Sequence, residues 1–394
     1  MKVLVLGGDG YLGWPTAMYF SARWHEVAII DNLSKRKWEA EVVGEPLFSR
    51  PTLQRRVRLW NAQYTGMPII LPPGKVVDIA TNHEALSRFL EYFRPDTIIH
   101  YAEQPSAPYS MMSRARAVAT ATNNVTGTLN VLWAIRNHAP GAHLIKLGTM
   151  GEYGTPNIPI EEGWITIQSE GREDRLPFPK LPGSFYHASK VADSTFIEFA
   201  CRAWEGIRAT DLNQGVVYGI ETDETEIHPD LCTSFHYDGV FGTVLNRFCV
   251  QAVAGVPLTV YGKGGQTRGF LNIRDTLQCV ELFAKNPPKP GEFRVANQFT
   301  EQFSVIELAE KVRRVADAMG ISVSINHLDN PRVEKEEHYY NAKNTTLHSL
   351  GLSPNLLTDD FISSLLKRIM QAKDRIDHDI IRPSVYWKRR DINI

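Results

Sequence analysis

The run Val3-Leu4-Val5-Leu6 ends in a glycine-rich turn, Gly7-Gly8-Asp9-Gly10-Tyr11-Leu12-Gly13, and no other stretch limits the fold as tightly. Residues 13 to 22 read as a helix, and Glu26–Ile30 (EVAII) reads as a second strand that ends in Asp31. Strand, glycine turn, helix, strand and terminal acid is the order of a βαβ unit that holds a dinucleotide. Gly7 permits the tight turn, Gly10 lets the backbone approach a pyrophosphate, and Gly13 lets helix and strand pack closely. The helix then presents N–H groups and its positive end to the phosphates. A carboxylate at Asp31 accepts hydrogen bonds from ribose hydroxyls and repels a 2′-phosphate, which favours NAD over NADP despite Lys35 and Arg36 nearby.

The alternation continues. Strands are expected at 76–79, 97–102, 143–147 and 208–217, with helices at 82–94, 113–138 and 184–204. Strands alternating with helices make a parallel, doubly wound α/β sheet. Ligands of such sheets sit outside the carboxyl ends of the strands, which should gather the glycine loop, Asp31, Asp78, Ala102 to Gln104, Thr149 and Gln214 on one edge. Asp78-Ile79 would flank an adenine, or Asp78 would cap a helix. Residues 34–74, with Lys35, Arg36, Lys37 and Trp38 and then Arg55, Arg56, Arg58 and Trp60, read as a helical insertion with a solvated basic face. After about residue 220 loops dominate, with helical patterns at 304–319 and 358–373. The expected division is a dinucleotide-binding domain over 1–220 and a mainly substrate-binding lobe over 221–394, some segments of which return to the first domain.

On the 184–204 helix, Tyr186-His187-Ala188-Ser189-Lys190 puts a phenol and an ammonium one turn apart on one face. A free phenol has a pKa of about 10, and a neighbouring cation lowers it. Tyr186 can then take a proton from a substrate hydroxyl as hydride leaves the carbon, with Lys190 also holding the nicotinamide ribose and Thr149 hydrogen-bonding the same oxygen.

Composition narrows the partners. The 43 basic and 44 acidic residues nearly cancel, so nothing in the charge balance favours nucleic acid or an anionic membrane. Cys201, Cys232, Cys249 and Cys279 are too far apart in sequence for a CxxC pair and read as buried thiols, so no metal is expected. No stretch approaches the roughly 18 apolar residues of a membrane span, and the first strand starts at residue 2. A cytoplasmic protein is expected, or an organellar one trimmed of its presequence.

The glycine loop and the Tyr-x-x-x-Lys helix about 170 residues later resemble the short-chain dehydrogenase/reductase superfamily in its extended, nucleotide-sugar-modifying form. Several segments narrow the resemblance to those members that make a sulfonated UDP-hexose. They are GGDGYLGW at 7–14, Glu103-Gln104 with SAPYSM at 106–111, LGTMGEYGTP at 147–156, DLNQGVVYG at 211–219, FGTVLNRF at 241–248, LTVYGKGGQTRG at 258–269 and PRVEKEEHYYN at 331–341. The similarity runs from residue 1 to about 390. It implies a Rossmann-type sheet with a smaller C-terminal mixed α/β lobe, tightly held NAD, and UDP-glucose and sulfite as substrates. The implied chemistry is oxidation at C4, loss of the C5 proton and C6 hydroxyl, sulfite addition at C6, and reduction at C4.

The resemblance also assigns residues. Besides the glycines, Asp31, Asp78, Ile79, Tyr186 and Lys190, it implies cofactor contacts from Asp9, Tyr11, Leu12, Asn32, Lys35, Tyr101, Ala102, Glu103, Asn123, Leu147, Gln214 and Val217. For the UDP-sugar it implies Gln104, Thr149, Tyr153, His187, Gln214, Thr243, Asn246, Arg247, Tyr261, Gln266, Arg268, Arg332 and Glu334. A guanidinium grips phosphate oxygens in a fork, which suits the three arginines to the diphosphate.

Two departures stand out. Related sugar 4,6-dehydratases carry Thr-Asp-Glu after strand five, whereas here Thr149 is followed by Met150 and Gly151, with Glu152 displaced by one. His187 is the candidate for moving protons at C5 or C6, with Glu152 as the alternative. Plant-like members have an arginine where this chain has Pro105, so another cation, such as one from the 35–38 run, has to recruit sulfite. The competing readings are a UDP-sugar 4-epimerase, a 4,6-dehydratase, and a silent NAD-dependent sensor or scaffold; both Tyr186 and Lys190 are present, which argues against the last. The superfamily pattern further implies a homodimer paired through the 113–138 and 184–204 helices.

Overall fold

The first strand shows how the sheet is built. In β1 (Lys2–Leu6), Val3 and Val5 belong to one apolar cluster and Leu4 and Leu6 to another. Successive side chains point to opposite faces, so a strand that is apolar at four consecutive positions, Val3 to Leu6, lies between two layers of helices. The computed structural model describes all residues except 49, 64–65, 74–75, 333–338, 383–384, 386 and 388–394.

In chain order, β1 is followed by α1 (Gly13–Ala22), β2 (Glu26–Ile30), α2 (Ser34–Val42), α3 (Leu53–Gln63), β3 (Ile69–Ile70), α4 (His83–Phe93) and β4 (Thr97–His100). Then come α5 (Ala107–Met111), α6 (Arg114–Ala121), a π-helical turn (Thr122–Thr126), α7 (Gly127–His138) and β5 (His143–Thr149). A hairpin of β6 (Trp164–Ser169) and β7 (Arg172–Pro177) precedes α8 (Phe185–Ala203), β8 (Arg208–Gln214) and β9 (Val216–Tyr218). The remainder comprises α9 (Val244–Ala254), β10 (Leu258–Tyr261), β11 (Thr267–Asn272), α10 (Ile273–Lys285), β12 (Phe293–Gln298), β13 (Glu301–Ser304), α11 (Val305–Ala318), β14 (Ile325–Leu328), α12 (Thr345–Ser349) and α13 (Asp359–Met370).

Seven parallel strands form the central sheet in the order β12-β8-β5-β4-β1-β2-β3. The order reverses between β1 and β4, and the expected doubly wound sheet is present with its switch point beside the glycine loop. Helices α4, α7 and α8 pack on one face, while α1, α3 and α10 pack on the other. The strand β12 comes from the second half of the chain and extends the sheet past β8. A smaller three-stranded sheet, β13-β11-β9, and the parallel pair β10-β14 enclose a separate core with α9, α11 and α13.

Several expectations change. The third strand is Ile69–Ile70, which pairs with Val27 and Ala28, not 76–79. Val77 and Ile79 bury their side chains beneath the sheet instead of pairing, so their apolar character serves packing. The 34–74 insertion holds two helices, and its basic residues divide: Lys37, Arg55 and Arg58 are exposed, as expected of a solvated face, whereas Lys35 and Arg36 are half-buried. Arg56 is fully buried, stacks 4.5 Å from the Trp14 ring and donates to Asp9 at 2.5 Å. Helix 113–138 is interrupted by the π turn. The second half holds more regular structure than its loop-rich sequence suggested, and the 164–177 hairpin had no sequence expectation. Its strands are mostly exposed, so they carry no core pattern for a sequence reader to find. Among the described residues, no helix is long and apolar enough to cross a membrane, and all four cysteines are buried thiols.

Candidate active site

A cavity of about 410 Å³ opens at the carboxyl ends of β1, β4, β5 and β8 and runs into the smaller lobe. One end is the glycine loop. Gly7 has φ +84°, and a Cβ there would lie 2.6 Å from the Tyr101 carbonyl carbon. A Cβ on Gly13 would overlap the Gly7 carbonyl oxygen, which is why helix and loop can touch only through glycine. Gly10, Tyr11 and Leu12 line the cavity beside them, with Lys35, Tyr101 and Leu147 across from the loop. The Tyr11 hydroxyl donates to the Gly219 carbonyl at 2.5 Å, binding the loop to the second half of the chain.

Asp31 faces a second cavity of about 330 Å³, walled by Ile29, Leu33, Leu53, Leu71, Val76 and Val77. Its carboxylate accepts the Asp9 and Leu33 N–H groups at 2.8 and 2.6 Å. Burial raises its pKa to about 6, helped by the Asp9 charge and opposed by those two N–H groups. An apolar slot ending in a carboxylate, beside a glycine cradle that any side chain would fill, fits the adenosine and pyrophosphate of NAD.

Asp9 itself does not reach the cavity. Arg36 holds its carboxylate at 2.6 and 2.8 Å and Arg56 at 2.5 Å, so this acid anchors the insertion to the loop. Burial alone would raise the Asp9 pKa, but the guanidiniums, Arg36 first, outweigh it and hold the group below its ordinary value. Asn32 caps Ser34. Asp78 accepts the Ala80 N–H in a tight turn and is not the helix cap, since Asn82 caps α4; Ile79 packs below Gly127. Ala102 lies against Gly7 without lining the cavity.

The candidate reacting groups converge from two elements, α8 and the end of β5. Ser184 caps α8 by accepting the His187 N–H at 3.1 Å, and the Tyr186 N–H donates to Ser110 Oγ at 3.1 Å. Tyr186 and His187 both line the cavity, their rings 5.2 Å apart. Thr149, at the end of β5, lines it too, and its hydroxyl oxygen accepts the Gly151 N–H at 3.2 Å. A Cβ on Gly151 would overlap His187 Nε2, so the imidazole fills the space a side chain at 151 would take. That is the third position of the dehydratase Thr-Asp-Glu pattern, so a glycine there and a histidine on α8 are two halves of one replacement.

The electrostatics correct one expectation. Lys190 is buried and ion-paired with Glu103, so its charge is spent on a carboxylate. Burial pushes the Tyr186 phenol above its ordinary value; Lys146 pulls it back, and Glu152 and Asp193 push it further. Burial takes His187 down to about 4, assisted by Arg332 and Arg268 and opposed by Glu152.

Several expected contacts lie elsewhere. Glu152 is fully buried below the cavity between Lys146, at 3.3 Å, and Lys180. Burial would raise its pKa, but the two lysines outweigh it and keep the carboxylate ionised beneath the site. Tyr153 is in the core, its hydroxyl donating to Asn297 at 3.1 Å and accepting from Asn213 at 2.7 Å. Gln104 is buried, with its N–H on Asn124 Oδ1 at 2.8 Å. Asn123 is displaced by one register, because the π turn aims Asn124 inward to donate to Ser189 Oγ at 2.9 Å. Glu334 lies outside the described residues.

The far end of the cavity is the expected one. Thr243, Asn246, Arg247, Tyr261, Gln266, Arg268 and Arg332 all line it, as do Gln214 and Val217 nearer the sheet. Sequence reading missed Trp387, which lines the same end with the Arg332 guanidinium 5.3 Å from its ring centre, and His236, set between Glu39 at 2.8 Å and Asp238 at 3.3 Å. Both come from segments without periodic pattern, and only the fold brings them to the cavity.

Residues 3–296 match the family described as NAD dependent epimerase/dehydratase. The chain belongs to this family. Among curated members, it is 56% identical over 388 residues to the chloroplastic UDP-sulfoquinovose synthase of Spinacia oleracea, covering 98% of this chain and 79% of that protein. It is 42% identical over 392 residues to the UDP-sulfoquinovose synthase of Sulfolobus acidocaldarius, covering 99% and 98%. Solved structures share the fold. The UDP-glucose 4-epimerase of Thermotoga maritima with UDP-glucose gives a TM-score of 0.66 at 18% identity, covering 94% of this chain and 99% of that one. The UDP-glucuronic acid 4-epimerase of Bacillus cereus with UDP-glucuronic acid and NAD gives 0.66 at 21%, with the same coverage. NAD is the cofactor of this family, and the glycine cradle and the Asp31 slot suit it.

Proposed function

We propose that this chain makes UDP-sulfoquinovose from UDP-glucose and sulfite, releasing water. The observation that carries the reading is the pairing of Gly151 with His187 beside Tyr186 and Thr149, together with the 56% identity to a synthase of that name. NAD, when bound, supplies the two-electron exchange at C4, accepting a hydride from the sugar at the start and returning it at the end. Tyr186 takes the O4 proton, and Thr149 hydrogen-bonds that oxygen. The C4 ketone acidifies C5–H, and His187, neutral at pH 7, takes that proton and passes one to the departing C6 hydroxide. Sulfite then forms its carbon–sulfur bond at C6, C5 is reprotonated, and Tyr186 gives its proton back to O4. A plain dehydratase is disfavoured because no side chain at 150 or 151 supplies its acid pair.

The first 220 residues carry the dinucleotide in this reading, and the rest mainly carries the UDP end. Arg247, Arg268 and Arg332 grip the diphosphate. Of the 35–38 run, only Lys35 lines the cavity that Pro105 also lines. Its ammonium is 2.5 Å from Glu39 and 4.3 Å from the Phe241 ring centre. It is the candidate from that run for drawing sulfite into the site. Exposed apolar side chains on α6, α7 and α8, namely Val118, Trp133 and Phe199, support pairing of two copies through these helices. Sedimentation should give twice the chain mass; a monomer at micromolar concentration contradicts the pairing.

The reaction course has its own test. UDP-glucose carrying deuterium at C4 should yield a sulfonated product that retains the label at C4, because the same hydride returns. Product that has lost the label would sink the internal redox cycle.

A further inference from the structure

Below the cavity floor lies a lysine that the reaction scheme leaves without a task. Lys146, on β5 three residues before Thr149, has no exposed surface. Its Nζ donates to Ser194 Oγ at 3.0 Å and to the Lys190 carbonyl at 3.1 Å, and it pairs with Glu152 Oε1 at 3.3 Å and Asp211 Oδ1 at 3.5 Å. Ser194 in turn donates to Asp211 Oδ2 at 2.6 Å. Gly148 makes room for this group, since a Cβ there would overlap Asp211 Oδ1.

Two of these contacts lead to residues of the site. Glu152 Oε1 also accepts the Thr149 N–H at 3.4 Å in a capping box, so Lys146 holds the acid that orients Thr149. The Lys190 carbonyl belongs to the helix turn that follows Tyr186. One ammonium therefore joins β8 to β5 and α8, the two elements that carry Thr149, Tyr186 and His187. Burial opposes its charge, but Asp211 and Glu152 outweigh burial and hold it protonated. Lys190, the lysine of the Tyr-x-x-x-Lys pair, has its charge matched by Glu103.

We propose that Lys146 is a positioning residue for the Tyr186 phenol, fixing the first turns of α8 against β5 through the Lys190 carbonyl and Glu152 and keeping a positive charge buried at that junction. The inference rests on Tyr186 being the base for O4. The electrostatics agree: Lys146 is the cation that pulls the phenol toward ionisation against its burial. The other charged or titratable groups around the pair are His187, Lys190 and Asp193 on α8, Glu152 after β5, Asp211 on β8, Lys180 before α8, His100 at the end of β4 and Glu103 after it.

The test is the rate at which UDP-glucose reduces bound NAD, followed by nicotinamide absorbance across pH in Lys146→Met and Asp211→Asn enzymes. Removing the cation should move the acidic limb up by about one pH unit and lower the neutral-pH rate by about 10–100-fold, with KM for UDP-glucose within about twofold. Removing the anion should move the limb the other way. Limbs that stay put, or that shift in the same direction in both variants, overturn the proposal, because damage to packing alone has no sign. If Lys146→Met does not fold, the direction of the Asp211→Asn shift decides. A parent enzyme whose NAD is not reduced by UDP-glucose would instead defeat the C4 oxidation reading.

Discussion

Replacing Tyr186 by phenylalanine should lower the rate of NAD reduction by UDP-glucose, and of sulfosugar formation, by about 10²–10⁴-fold, the range of a positioned acid–base group. The substitution removes one oxygen that lines the cavity and leaves the ring, so the unfolding midpoint should stay within about 2 °C of the parent. KM for UDP-glucose should change little, because the diphosphate is held at the opposite end by the arginines. The pH dependence also separates Tyr186 from His187. Burial holds the phenol high, so the rate of the C4 step should rise with pH through the neutral range as the phenolate fraction grows. A Phe variant that keeps more than about a tenth of the parent rate would remove Tyr186 from the role of base.

His187→Gln should split the reaction in two. C4 oxidation uses Tyr186 and Thr149, so UDP-glucose should still reduce NAD at within about threefold of the parent rate. Loss of the C5 proton should stall, and sulfonated product should fall by about 10²–10³-fold. Exchange of the C5 hydrogen with deuterated solvent reads this step directly and should disappear. Burial and the two arginines hold the imidazole at about 4, so at pH 7 it is neutral and able to accept a proton. Its folded pKa lies below the unfolded value of about 6.5, so between these values the unfolded chain binds more protons. The stability from burying neutral His187 is therefore fully present above about pH 6.5 and is lost as pH falls toward 4. A diphosphate that neutralises Arg268 and Arg332 lifts the same pKa, which lets the histidine hold the C5 proton once substrate is bound. C5 exchange that persists in His187→Gln would return the role to another group.

Much of this site was legible because its chemistry is local. The glycine loop, Thr149 at a strand end, and the Tyr186–Lys190 spacing need only a strand, a turn and a helix to be read. The arginines of the UDP end were legible through resemblance, not through any pattern of their own. What escaped was decided by long-range packing. Arg36 and Arg56 looked like part of a solvated basic face because nothing local says that Asp9, 27 and 47 positions earlier, waits beneath them. Asn124 displaced Asn123 because a π turn shifts the register of a helix without altering its apolar spacing. Glu152 looked like a cavity residue from its distance to Thr149, yet the capping box that joins them folds its carboxylate down onto Lys146. The strand expected at 76–79 gave way to Ile69–Ile70, a short segment flanked by prolines that pairs at the sheet edge with β2.

The most direct measurement is the mass of the nucleotide sugar formed when the purified protein meets UDP-glucose, NAD and sulfite. The account predicts a UDP-hexose heavier than UDP-glucose by one SO₂ unit, dependent on sulfite and absent with Tyr186→Phe. UDP-galactose, or a 4-keto sugar that never takes up sulfite, would contradict it.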